Sequence, residues 1–324
     1  DRLMSRRPRI AVTGECVVEL LPVNGPEKGL FRQSFSGDTL NTAVYLSRLG
    51  GLDVSYLSAA GTDPLSDAML DFWAGEGIDA SLTRRLPDAV PGLYMIQLDE
   101  RGERSFQYWR SASAARSCYS GEGADALLEK LASFDVIYLS GISLAVFLED
   151  GRERLLQRLE ELAGSVSICF DANFRPRLWG SDRKSALSRA EAWYRRMLPL
   201  CSMIFLSPEE AEAFGVKASC PEDAAAMLVR AVRPGAEIVM KDGPNPCLVW
   251  DGRIMRRVTP RPAEKVVDTT AAGDSFAAAY VHARLHGLRP EESAARGHVL
   301  AAAVIGEPGA VIPANRMPAE LLHE

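Results

Sequence analysis

This 324-residue chain has no apolar run as long as the roughly 18 residues a membrane-crossing helix needs. The arginines near its start are followed by no apolar signal core. No membrane partner is expected, and the reading is a cytoplasmic protein. Positive charge is not in excess either: 37 lysines and arginines stand against 43 aspartates and glutamates, a net charge of −6. An extended phosphate backbone needs the opposite balance, so no nucleic-acid partner is expected, although a few arginines and backbone amides suffice for a small anion. The six cysteines include no C-x-x-C pair, which argues against a zinc ribbon. Several sit in apolar runs, as Cys169 does in SVSICF, and read as buried, reduced thiols. There is no G-x-x-x-x-G-K-S/T phosphate loop, no G-x-G-x-x-G after the first strand, no low-complexity linker and no repeat of solenoid period. His282 and His286 lie four apart in HARLH but lack the glutamate of an H-E-x-x-H site, so they read as ordinary helix surface. The five tryptophans are scattered and read as packing residues.

What is present is a globular composition, 47% hydrophobic and 25% charged, with a strand–helix rhythm. Arg9–Cys16, Val54–Ser58, Val136–Leu139, Val166–Phe170, Met203–Leu206 and Glu237–Met240 read as strands. Thr39–Leu49 (stopped by Gly50-Gly51), Pro64–Gly75, Arg152–Leu162 and Pro221–Val232 read as helices. This alternation predicts an α/β fold with a parallel sheet covered on both faces. Two stretches break the rhythm. Gly92–Arg110 alternates apolar and polar residues around Asp99-Glu100-Arg101-Gly102, a hairpin signal, and Val17–Ser36 looks extended and irregular. Together they suggest a small projecting sheet. A second hairpin, Cys247–Val258, turns at Asp251-Gly252. Ligands of such folds collect at the carboxyl ends of the strands, where a projecting sheet makes a natural lid.

The segment VVDTTAAGDSFAAAY, Val266–Tyr280, is the most informative. Ala271, Ala272 and Gly273 lead into a helix beginning near Asp274, and the free amides and dipole of a helix start attract an anion. A carboxylate in a turn that only binds phosphate is out of place. Asp274 is therefore either the base that accepts a hydroxyl proton or a helix cap. In FSGDTLN, Gly37 and Asp38 precede a helix; alone they read as a turn and cap, although Asp38 and Asn41 equally suit sugar hydroxyls.

SGDTLNTAVYLSRLG and DTTAAGDSFAAAY together resemble the two signatures of the ribokinase/PfkB family of sugar kinases, and the likeness covers nearly the whole chain. It implies one kinase domain over 4–324, a three-layer α/β/α sandwich with a mostly parallel central sheet, and a β lid from segments about 17–36 and 92–118. It also implies ATP and Mg²⁺, with a monovalent cation left open, and in-line transfer of a phosphoryl group to a sugar hydroxyl. Asp274 then matches the family base, and Ala271, Ala272 and Gly273 its anion hole. Gly37, Asp38 and Asn41 match sugar-binding positions. Asn173, Ser207, Lys241, Gly243 and His298 fall on the nucleotide side, and Glu210 keeps the acidic end of the motif that bears on magnesium. The chain departs from the family at Ala271, where glycine is usual and positive φ would strain an alanine. It departs also at His298 and Ser207, where asparagine is common, and at Pro244 and Pro246 in KDGPNP.

Within the family, PGLYMIQLDERGERSFQYWRSASAA, DVIYLSGISLA and FDANFRPRLW narrow the likeness to members that phosphorylate the terminal hydroxyl of a 2-keto-3-deoxy sugar acid. Tyr94, Tyr108 and Arg110 are even-numbered along the hairpin and so share a face, and Arg175 follows the strand SVSICF. The resemblance carries all four over as substrate ligands, and arginine's planar fork suits a carboxylate. Without it they would read as surface arginines and half-buried tyrosines. The implied partners are a small sugar acid and ATP, with a homodimer as the default assembly. Two alternatives stay open: a fructokinase- or ribokinase-like kinase of a neutral sugar, and a non-catalytic sugar-binding regulator.

Overall fold

The computed structural model describes residues 6–23, 29–99 and 104–323. In chain order the strands are β1 (Arg9–Thr13), β2 (Val17–Pro22), β3 (Phe31–Ser36), β4 (Asp53–Leu57), β5 (Ala59–Ala60), β6 (Arg84–Arg85), β7 (Gly92–Leu98), β8 (Arg104–Trp109), β9 (Val136–Ser140), β10 (Ser167–Asp171), β11 (Met203–Leu206), β12 (Glu237–Met240), β13 (Cys247–Trp250) and β14 (Met255–Val258). Eight of them form one sheet in the order β14-β13-β12-β11-β10-β9-β1-β4. From β4 to β12 every pairing is parallel, with Ala11 opposite Ser55 and Cys169 opposite Tyr138; β13 and β14 add an antiparallel edge.

Strand periodicity distributes the core. Ile10, Val12, Val136 and Tyr138 face one layer, packed with residues of helices Asp38–Leu49, Pro64–Gly75, Ala272–Leu285 and Pro290–Ile305. Ala11, Ile137 and Leu139 face the other, with residues of Glu149–Leu162, Arg183–Met197 and Pro221–Val229. The result is the three-layer α/β/α sandwich with a mostly parallel sheet that the sequence led us to expect.

Local chemistry sets several boundaries. Pro64–Gly75 begins where Asp63 accepts the Ser66 N–H at 3.0 Å and Pro64 supplies a pre-set φ at the first position. The first strand ends at Thr13, earlier than expected, because Gly14 passes hard against Thr39: a Cβ at Gly14 would collide with the Thr39 hydroxyl. The chain then turns out of the main sheet into a second one, ordered β3-β2-β7-β8. In it β7 and β8 form the expected antiparallel hairpin, with Tyr94 opposite Tyr108, and β2 joins β7 in parallel. Glu100–Gly102 of the expected hairpin turn, and residues 24–28 of the expected extended segment, lie outside the described residues.

Five of the six cysteines are buried and none is in a disulfide; Cys220 is exposed, contrary to a uniformly buried set. Burial pushes the Cys118 and Cys247 thiols up to about 12, so they pack as small apolar groups. His282 corrects the surface reading of HARLH. It is buried at 3% exposure, its Nε2 is 3.0 Å from the Gly50 carbonyl, and its ring centroid lies 4.2 Å from that of His286, the planes tilted by 33°. The helix that carries it is packed against Asp38–Leu49, so even its polar positions are enclosed. Among the described residues no helix is long and apolar enough to cross a membrane.

Candidate active site

Loops after β1, β9, β10, β11 and β12 surround a cavity of about 650 Å³ at the carboxyl edge of the sheet. Its floor is the start of helix Ala272–Leu285, its flank the start of Asp38–Leu49, and its wall the small sheet through Val17, Tyr94, Phe106 and Tyr108. The sequence-derived residues Gly37, Asp38, Asn41, Tyr94, Tyr108, Arg110, Asn173, Arg175, Ser207, Glu210, Lys241, Gly243, Ala271, Ala272, Gly273 and Asp274 all line it. His298 does not. It lines an adjoining cleft of about 610 Å³, made largely of Pro244, Pro260, Pro262, Val266, Ala301 and Ile305, which meets the first cavity at Gly243, Thr269 and Ala272.

The floor is built by Asp268, a residue the motif reading passed over. Its carboxylate accepts the Thr270 N–H at 2.9 Å, the Thr270 hydroxyl at 2.6 Å and the Gly309 N–H at 3.0 Å, closing the turn before the helix. Ala271 then adopts φ 62°, ψ 14°. This is the left-handed conformation that glycine adopts freely and an alanine only under strain. Exchange of Ala271 for glycine is therefore expected to raise stability by about 1 kcal/mol, read as a higher midpoint in thermal unfolding. Ala272 and Ser275 donate to the Thr269 and Ala271 carbonyls, whereas the Gly273 and Asp274 amides, at the cavity end of the helix dipole, take no backbone carbonyl among the described residues.

Asp274 sits among like charges. Burial and the neighbouring Asp38 carboxylate push its carboxyl up to about 8, against a hydrogen bond that Asn41 Nδ2 donates to Oδ2 at 3.0 Å. Asp38 is itself raised by burial, and Asn173 Nδ2 donates to its Oδ2 at 2.8 Å. Asn173 takes φ 31°, a backbone state asparagine tolerates better than most residues. Asp171, which ends β10, holds Lys241 Nζ at 3.0 Å. Burial alone would lower Lys241, but Asp171 and Glu210 outweigh it and keep the ammonium charged. That ammonium lies next to the turn, 3.2 Å from where a Cβ on Gly273 would stand. The sequence reading missed the Asp171–Lys241 pair because the two residues meet only when β10 and β12 are placed in one sheet.

Arg110 follows β8 and turns into the cavity, where its guanidinium reaches Glu15 at 2.5 Å. Arg175 is exposed at the rim. Among the described residues its guanidinium donates one hydrogen bond, to its neighbour's carbonyl, Phe174 O, at 3.4 Å, and it has no ion-pair partner. Tyr94 and Tyr108 face each other with centroids 5.8 Å apart, and Phe106 completes the aromatic wall. Glu15 and Phe106 were not anticipated. Glu15 lies in GEC at the end of the first apolar run, where a glutamate ordinarily marks a solvated strand end.

Glu210 has both oxygens engaged: Oε1 accepts the Phe174 N–H at 3.0 Å and Oε2 the Ser207 N–H at 2.8 Å. It braces the loops after β10 and β11. No group of three or more acidic, histidine or cysteine side chains among the described residues is arranged to hold a metal by itself. A cavity with several carboxylates on its walls suits instead a hard cation that arrives on phosphates and keeps much of its water.

The sequence profile of the pfkB family carbohydrate kinases matches residues 7–316. The 2-dehydro-3-deoxygluconokinase of Escherichia coli K12 is 42% identical over 320 residues, covering 96% of this chain and 99% of that protein. The enzyme of the same name from Haemophilus influenzae is 38% identical, covering 94% and 95%. Among solved structures, the 2-dehydro-3-deoxygluconokinase of Thermotoga maritima superposes with a TM-score of 0.76 at 19% identity, over 95% of each chain. A sugar kinase of Pyrococcus horikoshii in complex with ATP gives 0.72 at 21% identity, over 93% of each. At these identities the two structures speak for the fold.

Proposed function

This chain belongs to the pfkB family of carbohydrate kinases, and from that premise we propose that it transfers the γ-phosphoryl group of ATP to the terminal 6-hydroxyl of 2-keto-3-deoxy-D-gluconate, giving 2-keto-3-deoxy-6-phosphogluconate. The observation that carries the reading is the meeting, in one cavity, of a half-buried carboxylate at an amide-lined helix start with two arginines and a tyrosine pair. A sugar acid gives Arg175, which has no ion-pair partner among the described residues, a carboxylate to meet; a neutral sugar does not.

In this reading the acid substrate lies under the small sheet, which acts as a lid, with its carboxylate toward Arg110 and Arg175 and its hydroxyls toward Asp38, Asn41 and the tyrosines. The nucleotide base occupies the apolar cleft beside His298, and its phosphates run past Gly243 and Lys241 to the Ala271–Asp274 turn. Asp274 takes the proton of the 6-hydroxyl as that oxygen bonds to the γ-phosphorus, and the bond to the bridging oxygen of ADP breaks on the opposite side. The Gly273 and Asp274 amides and the Lys241 ammonium stabilise the charge on the transferring group. Magnesium arriving with ATP would supply charge neutralisation on the phosphates, and Glu210 is the acidic residue of the cavity that would bear on it. Lid closure excludes water that would otherwise compete as acceptor.

The pH dependence follows from Asp274. With its carboxyl near 8 in the empty site, most of it is protonated at neutral pH and unable to act as a base. kcat/KM for the sugar acid, which reports the free enzyme, is expected to climb from pH 6 through a midpoint near pH 8 and to level off about one unit higher. A flat profile across that range, in assays at fixed saturating magnesium, would contradict Asp274 as the base. The product is checked directly by phosphorus–proton correlation spectroscopy. The account requires the new phosphate on carbon 6, and a phosphate on any other oxygen overturns the substrate orientation.

The exposed Leu30, Phe31 and Trp109 of the small sheet leave apolar surface that a second copy of the chain would cover, so a homodimer is the assembly we propose. Unpaired, largely buried thiols suit a reducing cytoplasm.

A further inference from the structure

Every crossing between the main sheet and the small sheet passes one residue, Glu15. It lies between β1 and β2, and its backbone carbonyl packs against Gly37, just past β3, where any Cβ would run into it; Gly37 has φ 152°. Gly92, the first residue of β7, leaves room for the Glu15 carboxylate: a Cβ there would sit 3.2 Å from Oε2 and 3.1 Å from the Arg110 Cβ. Beyond β8, Arg110 reaches Oε1, and the Ser113 hydroxyl donates to Oε2.

The Glu15 side chain is wholly enclosed, at 0% exposure, whereas that of Arg110 keeps 20%. An enclosed carboxylate needs a counter-charge and filled lone pairs. Ser113 satisfies Oε2, but among the described residues Oε1 has only the Arg110 guanidinium at 2.5 Å and no aligned N–H donor. The pair is thus held by charge and confinement, and it anchors one end of a guanidinium that lines the cavity. Arg175, with no carboxylate behind it, is not held in this way.

We propose that Glu15 is a positioning residue for acid recognition: it orients Arg110 toward the substrate carboxylate and ties that recognition to the seating of the small sheet. The inference rests on the acid-substrate reading above. Glu15 does not touch the reacting atoms; its effect passes through Arg110, so it belongs in KM for the sugar acid and not in the phosphoryl-transfer step.

The test is a double-mutant cycle of Glu15→Gln and Arg110→Ala, with kcat and KM for 2-keto-3-deoxygluconate and for ATP. Glu15→Gln is expected to raise KM for the sugar acid about ten- to hundred-fold, with little change in kcat or in KM for ATP. In the Arg110→Ala background the same change should add almost nothing. Glu15→Asp should recover part of the loss. Ser113→Ala, a milder change that frees Oε2 without removing charge, should raise the same KM by a smaller factor, and serves if Glu15→Gln folds poorly. If Arg110→Ala raises KM but Glu15→Gln and Ser113→Ala do not, the positioning role is overturned and the acid-substrate reading stands. Additive effects in the cycle, or equal effects on both substrates, overturn it in favour of a general structural role. If Arg110→Ala itself leaves KM unchanged, the reading and the inference fail together.

Discussion

Asp274→Asn is expected to lower turnover by about a thousand-fold or more while making the protein more resistant to heat. The first effect follows if Asp274 accepts the hydroxyl proton, since the amide keeps the shape and loses the basicity. The second follows from the cost of holding a carboxylate where burial and Asp38 raise it to about 8, against an ordinary value of 3.8. The folded state therefore keeps a proton that the unfolded chain sheds between about pH 4 and pH 8, so wild-type stability declines as pH rises through that window. Asparagine has no proton to lose. The gap in melting temperature between Asp274→Asn and wild type should be smallest near pH 4, widen toward pH 8 and then level off. Thermal unfolding at several pH values reads this without any assay of activity. A variant that loses turnover but is no more stable at any pH would mean that Asp274 is not strained by its neighbours.

Arg110→Ala is expected to reduce kcat/KM for the keto-deoxy acid on the order of a hundred-fold, chiefly through KM, and to change little for a neutral sugar such as fructose. A guanidinium that meets a carboxylate contributes a charge-assisted bond that a hydroxyl cannot replace. The same substitution leaves the enclosed Glu15 without a counter-charge and is expected to destabilise the fold by up to about 3 kcal/mol, less if water enters beside the partly exposed side chain. Glu15→Gln in the same chain should restore much of that stability without restoring KM. Calorimetry of the single and double variants separates the two consequences. Equal losses on acid and neutral sugars would discard Arg110 as the carboxylate ligand.

The legibility of the fold varied with how local its causes are. Pro64–Gly75 could be read to the residue because Asp63 and Pro64 punctuate its start, and Met203–Leu206 and Glu237–Met240 because buried parallel strands are short apolar runs with clear stops. Pro221–Val232 was read too long: the helix ends at Val229, and Pro234 and Gly235 follow within a few residues. The end of β1 depends on Thr39, which no local pattern reveals.

The site divides the same way. The Ala271–Asp274 turn and the Gly37–Asn41 segment are contiguous, so composition and spacing expose them, and the strained φ anticipated for Ala271 is what the turn adopts. Glu15, Asp171 and Asp268 escaped because their partners, Arg110, Lys241 and Gly309, come from other parts of the chain. His282 escaped for a related reason: a helix that is packed on several sides buries polar positions that a one-faced pattern would leave in water.

The central claim, an acid-selective sugar kinase, is tested most directly by ADP release from Mg-ATP across one panel: 2-keto-3-deoxygluconate, its galactonate epimer, gluconate, fructose and ribose. The account predicts turnover on the keto-deoxy acids, with kcat/KM for 2-keto-3-deoxygluconate at least a hundred-fold above fructose or ribose. Comparable turnover on fructose or ribose, or thermal stabilisation by the sugar acid with no ADP formed, would contradict it.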